Sequence, residues 1–147
     1  MMENLSPLGK VFHAGTLAGN PLATAAGLSA LNELTQDVYM ELGARARQLA
    51  TLLRDACTSA GITAQFPVVG TLVGAFFGNR VPTNFDEAKQ TDEKMYAKFF
   101  HAMLDEGVAM APGAYEALFV GVGHTDAVME QLALAAHRAA HAVAAAK

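Results

Sequence analysis

Gly15 and Thr16 stand just ahead of Gly19-Asn20-Pro21. A glycine beside a threonine presents a bare backbone N–H and a hydroxyl, and both can donate to phosphate oxygens, as in other glycine-containing anion loops. The same residues also make an ordinary turn leading into a helix cap, and composition alone favours the turn. Glu116 lies in the run APGAYEALF, beside Pro112 and Gly113. A carboxylate there could face a cleft, hold an amino group or shift a proton. The alternative is a solvated loop glutamate, which the residues by themselves favour. Gly121-Val122-Gly123-His124-Thr125 faintly resembles a nucleotide loop but lacks the full spacing. It reads instead as a turn through His124 with Thr125 as a helix N-cap.

The remaining reactive side chains carry less. His137 and His141 are four apart, a spacing that binds zinc when a third ligand is near. No HExxH glutamate intervenes and the neighbours are alanines, so a solvated helix face is the better reading. His13 and His101 are single histidines without a partner in sequence. Cys57 is the only cysteine, which rules out an internal disulfide and points to a core thiol in a reduced, cytoplasmic setting.

The 147 residues are 52% hydrophobic, enough for a sizeable core. A net charge of −4 and a pI near 5.6 give no basic surplus for nucleic acid or an anionic membrane. No uncharged apolar run reaches the roughly 20 residues of a transmembrane helix. Glu3, the early Pro7 and the missing apolar run argue against a signal peptide. The opening MMENLSPLGKVFHAGTLAGNP is loop-like and is followed abruptly by a small-residue helix, which reads as the middle of a longer protein.

The elements that must position these residues follow from pattern. Residues 1–18 read as irregular, broken by Pro7, Gly9 and Gly15. Asn20 is a favoured N-cap and Pro21 suits the first helical position, so a helix is expected to about Leu34. Its small residues (Ala23, Ala25, Ala26, Gly27, Ser29, Ala30) predict burial against a neighbour. A second helix runs from about Val38 to Ala60 on the stripe Leu42, Ala46, Leu49, Leu53 and Ala56, with Gly61 as a left-handed cap. Glu41 and Arg45 pair favourably on it, worth about 0.3 kcal/mol. Strands are expected at 62–69 and 71–77, the first ending early or lying at an edge because of Pro67. Residues 78–90 read as a polar loop. A third helix spans 92–106, capped by Thr91, stopped by Gly107, with Met95, Phe99 and Met103 inward. Short strands at 108–111 and 117–121 bracket PGAYE. A final helix runs from Thr125 to the end with Val128, Leu132, Ala135, Ala139 and Val143 inward. This order predicts an α+β fold with helices on one face of a small, mostly antiparallel sheet.

Taken together, these segments resemble the glutamate-1-semialdehyde 2,1-aminomutases over essentially the whole chain. His13 to Ala23 (HAGTLAGNPLA) is similar to their HAGTLSGNPLA signature, with Pro7-Leu8-Gly9 matching the approach to it. Val81 to Ala88 resembles their VxNYxxA loop. Phe99 to Leu104, with Gly107-Val108, resembles FFxxML..GV. Ala111 to Ala117 resembles APSxFEA, and His124-Thr125 the closing AHT. The resemblance implies the C-terminal portion of a type I PLP-dependent fold. Residues 1–34 would be a residual segment of the large cofactor domain (loop plus helix), and 35–147 the small C-terminal α/β domain. It implies a parent enzyme that uses pyridoxal phosphate to move an amino group within one substrate, making 5-aminolevulinate for tetrapyrrole synthesis.

The resemblance also implies roles. Gly15 and Thr16 would contact the phosphate of the neighbouring subunit's cofactor in a homodimer joined through the cofactor domains. Glu116 and Gly113 would meet the small-molecule substrate. Gly113 stands where the family usually has serine, so a hydroxyl contact is lost, and Tyr115 replaces phenylalanine. The Schiff-base lysine of the family lies well upstream, and Lys10 is too close to Gly15 to be it. The aspartate that pairs with the pyridine nitrogen is also upstream. The chain alone is therefore expected to hold no pyridoxal phosphate and to have no catalytic residue of its own. Two other readings remain: part of a related aminotransferase acting on another amino acid, or a dimerisation domain without chemistry.

Overall fold

The computed structural model describes residues 1–146. The chain divides into two compact units, Met1–Gln36 and Asp37 onward.

The first unit is more ordered at its start than an irregular stretch. A 3-10 turn covers Met2–Asn4, and an isolated bridge joins Leu5 to Val11. Ser6 N donates to Val11 O at 2.9 Å and Val11 N to Asn4 O at 2.9 Å. Gly9 lies so close to Asn4 that a Cβ on it would sit 2.2 Å from that residue's carbonyl carbon. These contacts are set by close backbone approach, which side-chain periodicity does not report. Helix α1 follows at Pro21–Glu33. Asn20 Oδ1 accepts from Leu22 N at 3.0 Å and from Ala23 N at 3.2 Å, which satisfies two of the amides a helix start leaves unpaired. The expected burial of this helix is not found: none of its residues is buried. Its unit offers no second apolar element to cover it, and Leu22, Leu28 and Leu31 are exposed.

In the second unit, α2 (Gln36–Ser59) buries Ala46, Leu49, Ala50, Leu53, Ala56 and Cys57, the stripe its three- and four-residue spacing predicts. It ends in a Schellman turn. Gly61 takes φ +67°, Gly61 N donates to Thr58 O at 3.0 Å and Ile62 N to Cys57 O at 2.8 Å. The two expected strands then appear as four short ones, β1 (Ala64–Gln65), β2 (Val68–Val69), β3 (Leu72–Val73) and β4 (Phe76–Phe77). They are halves of one ribbon that turns at Gly70, φ +61°. Phe66-Pro67 interrupts one arm and Gly74-Ala75 the other, so β1 pairs with β4 and β2 with β3, both antiparallel. Pro67 has no N–H to give a ladder, and the ribbon keeps only Gly74 N to Pro67 O at 2.9 Å across the break.

The polar loop contains a short helix, α3 (Phe85–Ala88), capped by Asn84, whose Oδ1 accepts from Glu87 N at 3.0 Å. Helix α4 spans Glu93–Asp105. Its cap is Asp92, whose Oδ1 accepts from Met95 N at 2.9 Å, and not Thr91, whose hydroxyl donates back to Ala88 O at 2.7 Å. Thr91 is already committed to closing α3, so the next acceptor in line serves α4. Gly107, φ +82°, repeats the Schellman turn, with Val108 N on Met103 O at 2.9 Å.

Residues 108–111 form no strand. The later strand is β5 (Leu118–Phe119), antiparallel to β3 through Leu72–Phe119 and Val73–Leu118. The three-stranded sheet has the order β2-β3-β5. Helix α5 (Asp126–Ala145) starts at Thr125 as expected, with Thr125 Oγ1 accepting from Val128 N at 3.5 Å; its last expected residue, Lys147, lies outside the described residues. Met129 is buried in place of Val128, which is exposed. Arg45 on α2 pairs with Asp126 in the first turn of α5 and lies 3.9 Å from Glu41. The core centres on Phe99, Leu53, Met103, Met129 and Val73. Phe77 meets Tyr96 edge-on at 6.1 Å and Phe99 at 5.5 Å. The fold is α+β with small antiparallel sheets.

Candidate functional site

The segment Ala111–Ala117 connects α4 to β5 and carries two of the candidate residues. Three side chains hold it. Tyr96, on the α4 face that also presents Phe99 and Met103, is 3% exposed and donates its hydroxyl to Ala111 O at 2.5 Å. Tyr115 donates its hydroxyl to Glu93 in the first turn of α4, and its ring meets Phe85 of α3 edge-on at 5.6 Å. Glu116 Oε1 accepts from Gly113 N at 2.9 Å, while Glu116 N donates to Gly113 O at 3.1 Å. The glutamate thus folds back over its own turn. A Cβ at position 113 would lie 2.5 Å from Glu116 Oε1, so a side chain there would require the carboxylate to shift.

The electrostatics agree with the geometry. Burial raises the Tyr96 hydroxyl above its ordinary value, and the negative charge of Glu116 adds to the rise. The Tyr115 hydroxyl is also raised, first by its hydrogen bond to Glu93. On α3, Glu87 is held below the usual carboxylate range by hydrogen bonds from the Thr83 backbone and hydroxyl, with Arg80 contributing. Its carboxylate accepts from Thr83 N at 2.9 Å and from Thr83 Oγ1 at 3.0 Å.

Beside the loop lies a cleft of about 320 Å³, lined by residues 108–111 and by Ala117, Leu118 and Phe119 among others. His124 also lines it. Its Nδ1 accepts from Gly121 N at 3.0 Å, which makes it the turn residue expected from the sequence.

Gly15 and Thr16 belong to the first unit, where both are exposed. Ala18 N donates to Gly15 O at 3.1 Å, which starts the turn leading to Asn20. The amides of Gly15 and Thr16 donate to no other described residue. Two free N–H groups with an adjoining exposed hydroxyl fit a phosphate, since each needs an acceptor and a phosphate supplies several. The other histidines stay apart from this chemistry. His137 and His141 stack at 4.4 Å on the exposed side of α5, and among the described residues no group of three or more His, Cys, Asp or Glu could hold a metal. Cys57 is buried in the core, as expected.

Sequence reasoning missed Tyr96, Glu93 and the Tyr115 hydroxyl. A signal was available for Tyr96: Tyr96, Phe99 and Met103 follow helical spacing better than Met95, and a buried tyrosine hydroxyl demands an acceptor. The Glu93–Tyr115 pair spans distant positions and leaves no local pattern.

No family model matches the chain. It is 43% identical over 131 residues to a glutamate-1-semialdehyde 2,1-aminomutase of Bordetella avium, covering 88% of this chain and 31% of the relative. It is 43% identical over 127 residues to that of Desulfosudis oleivorans, covering 86% and 30%. Glutamate-1-semialdehyde 2,1-aminomutase 2 of Bacillus licheniformis is 40% identical over 138 residues, covering 94% and 32%. The chain spans about a third of the length of these curated relatives and matches their C-terminal portion. Among solved structures, a transaminase with PLP bound superposes with a TM-score of 0.72 at 20% identity, covering 96% of this chain and 32% of the other. A β-phenylalanine aminotransferase from Variovorax paradoxus gives 0.72 at 25%, covering 92% and 32%. No helix among the described residues is long and apolar enough to cross a membrane.

Proposed function

Starting from its homology to the C-terminal portion of the glutamate-1-semialdehyde 2,1-aminomutases, we propose that this chain supplies the substrate-side third of a pyridoxal-phosphate isomerase of the cytoplasm. That enzyme converts glutamate-1-semialdehyde to 5-aminolevulinate for tetrapyrrole synthesis. The observation that carries the reading is the identity of 40–43% sustained over 86–94% of the chain, joined to an anion-ready Gly15-Thr16 and a tethered Glu116.

Pyridoxal phosphate, when bound, supplies the electron sink that makes the C–H bond beside the amine acidic. The residues of this chain bind and orient. Gly15 and Thr16 donate N–H and O–H groups to the phosphate of the partner subunit's cofactor in a homodimer. Glu116 accepts from the ammonium group of the substrate and so fixes which amine is presented. Tyr96 and Tyr115 keep the Glu116 loop in place against α4. Residues 1–34 form part of the cofactor domain, and the remainder forms the small domain. The lysine that bonds the cofactor lies in the part of the relatives' length that this chain does not span, so this chain by itself is inactive and binds no cofactor.

A chimera tests this. The C-terminal third of the Bordetella avium relative is replaced by this chain, and the product from glutamate-1-semialdehyde is measured. The expected product is 5-aminolevulinate without an external amino acceptor. A folded, cofactor-loaded chimera that turns over only when an amino acceptor is added would instead support a related aminotransferase, the reading that Gly113 keeps open.

A further inference from the structure

We propose that Gly113 is a positioning residue for Glu116: its backbone N–H holds one carboxylate oxygen and leaves the other free for a cationic amine. The proposal rests on the reading of Glu116 as a substrate contact. The Gly113 N–H to Oε1 bond is 2.9 Å long, and a Cβ at this position would stand 2.5 Å from that oxygen and require the carboxylate to shift. A carboxylate has two acceptor oxygens. With Oε1 held by the amide, rotation of the carboxylate is restricted, and Oε2 accepts from no other described residue.

The contact is also selective in what it would disturb. Gly113 is not among the glycines with positive φ, which are Gly61, Gly70 and Gly107. An alanine is therefore tolerated by the backbone, and the overlap falls on the movable end of Glu116. The loop itself stays held by Tyr96 on Ala111 and by Tyr115 on Glu93. A substitution at 113 thus swings the carboxylate outward without unfolding its surroundings. In this view position 113 sets the direction of Glu116 through a backbone amide.

The test begins with this chain alone, by amide hydrogen exchange and carboxyl-carbon NMR. In E116A the Gly113 amide should exchange faster by roughly threefold or more, the equivalent of one net hydrogen bond, while the amides of Val73 and Leu118 do not change. In G113A the Glu116 carboxyl-carbon resonance should move toward that of a freely rotating glutamate, again with core amides constant. An unchanged Gly113 exchange rate in E116A, or an unchanged Glu116 resonance in G113A, overturns the positioning. Neither readout requires aminomutase chemistry, so each stands apart from the fate of the chimera. In an active chimera, G113A should raise KM for the amino substrate several-fold more than it lowers kcat, and G113A/E116A should be no worse than E116A. Independent, additive losses would overturn the link between position 113 and the amine.

Discussion

At the scale of single residues, the site loop is held by tyrosine hydroxyls whose loss has different consequences. Tyr96 is buried and its partner is the Ala111 carbonyl. Tyr96→Phe leaves that carbonyl without its donor, so a loss of about 1–2 kcal/mol in unfolding free energy is expected by denaturant titration. Tyr115→Phe removes a solvent-facing bond to Glu93 and should loosen the loop, read as faster exchange at Gly113, with little change in global stability. Cys57 gives a test of core integrity. Burial pushes its thiol up from 9.0 to about 12. The unfolded chain releases this proton at lower pH than the folded one, so the contribution to stability is complete below pH 9 and is lost as pH rises toward about 12. Cys57→Ala should flatten that alkaline decline. In the native protein the thiol should resist a thiol reagent until denaturant is added, and rapid native labelling would contradict its burial.

At the scale of elements, caps and glycines decide where helices stop and start. Asp92→Ala removes the acceptor for Met95 N and should cost about 1 kcal/mol, the usual worth of an N-cap. Gly107→Ala and Gly61→Ala place a Cβ on a positive-φ residue and should each cost about 1 kcal/mol by thermal or denaturant unfolding. These helix boundaries were legible in the sequence wherever the signal is local. The Asn20-Pro21 start, both Schellman glycines and the Thr125 cap all lie within a turn of the residues they serve. The cap of α4 was misplaced by one residue because two acceptors stand side by side and the choice depends on α3, which a polar composition hides. Strand 108–111 was misread for a different reason. VAMA has the right apolar character, but a strand exists only where a partner presents its backbone, and pairing information is not local. The site shows the same divide. Gly113 and Glu116 were visible as residues, whereas their mutual bond required the turn geometry.

For the molecule as a whole, the two units differ in what they bury. The second carries the whole described core, and replacing Phe99, fully buried at its centre, with alanine should cost about 3–5 kcal/mol. The first exposes Val11, Phe12, Leu17, Leu22, Leu28 and Leu31. Exposed apolar side chains in this number favour association. Light scattering should show mass rising with concentration, and Leu28→Ser with Leu31→Ser should lower it; a strict monomer that binds no apolar dye would contradict this. Because α1 buries none of its own residues, opening it forfeits almost no shielding from water, while opening α2 or α5 breaches the interior. A protease acting on the dilute chain should therefore trim the amino-terminal segment early and stall at a resistant remnant beginning near Asp37, so that one polypeptide shows two separate thresholds of resistance.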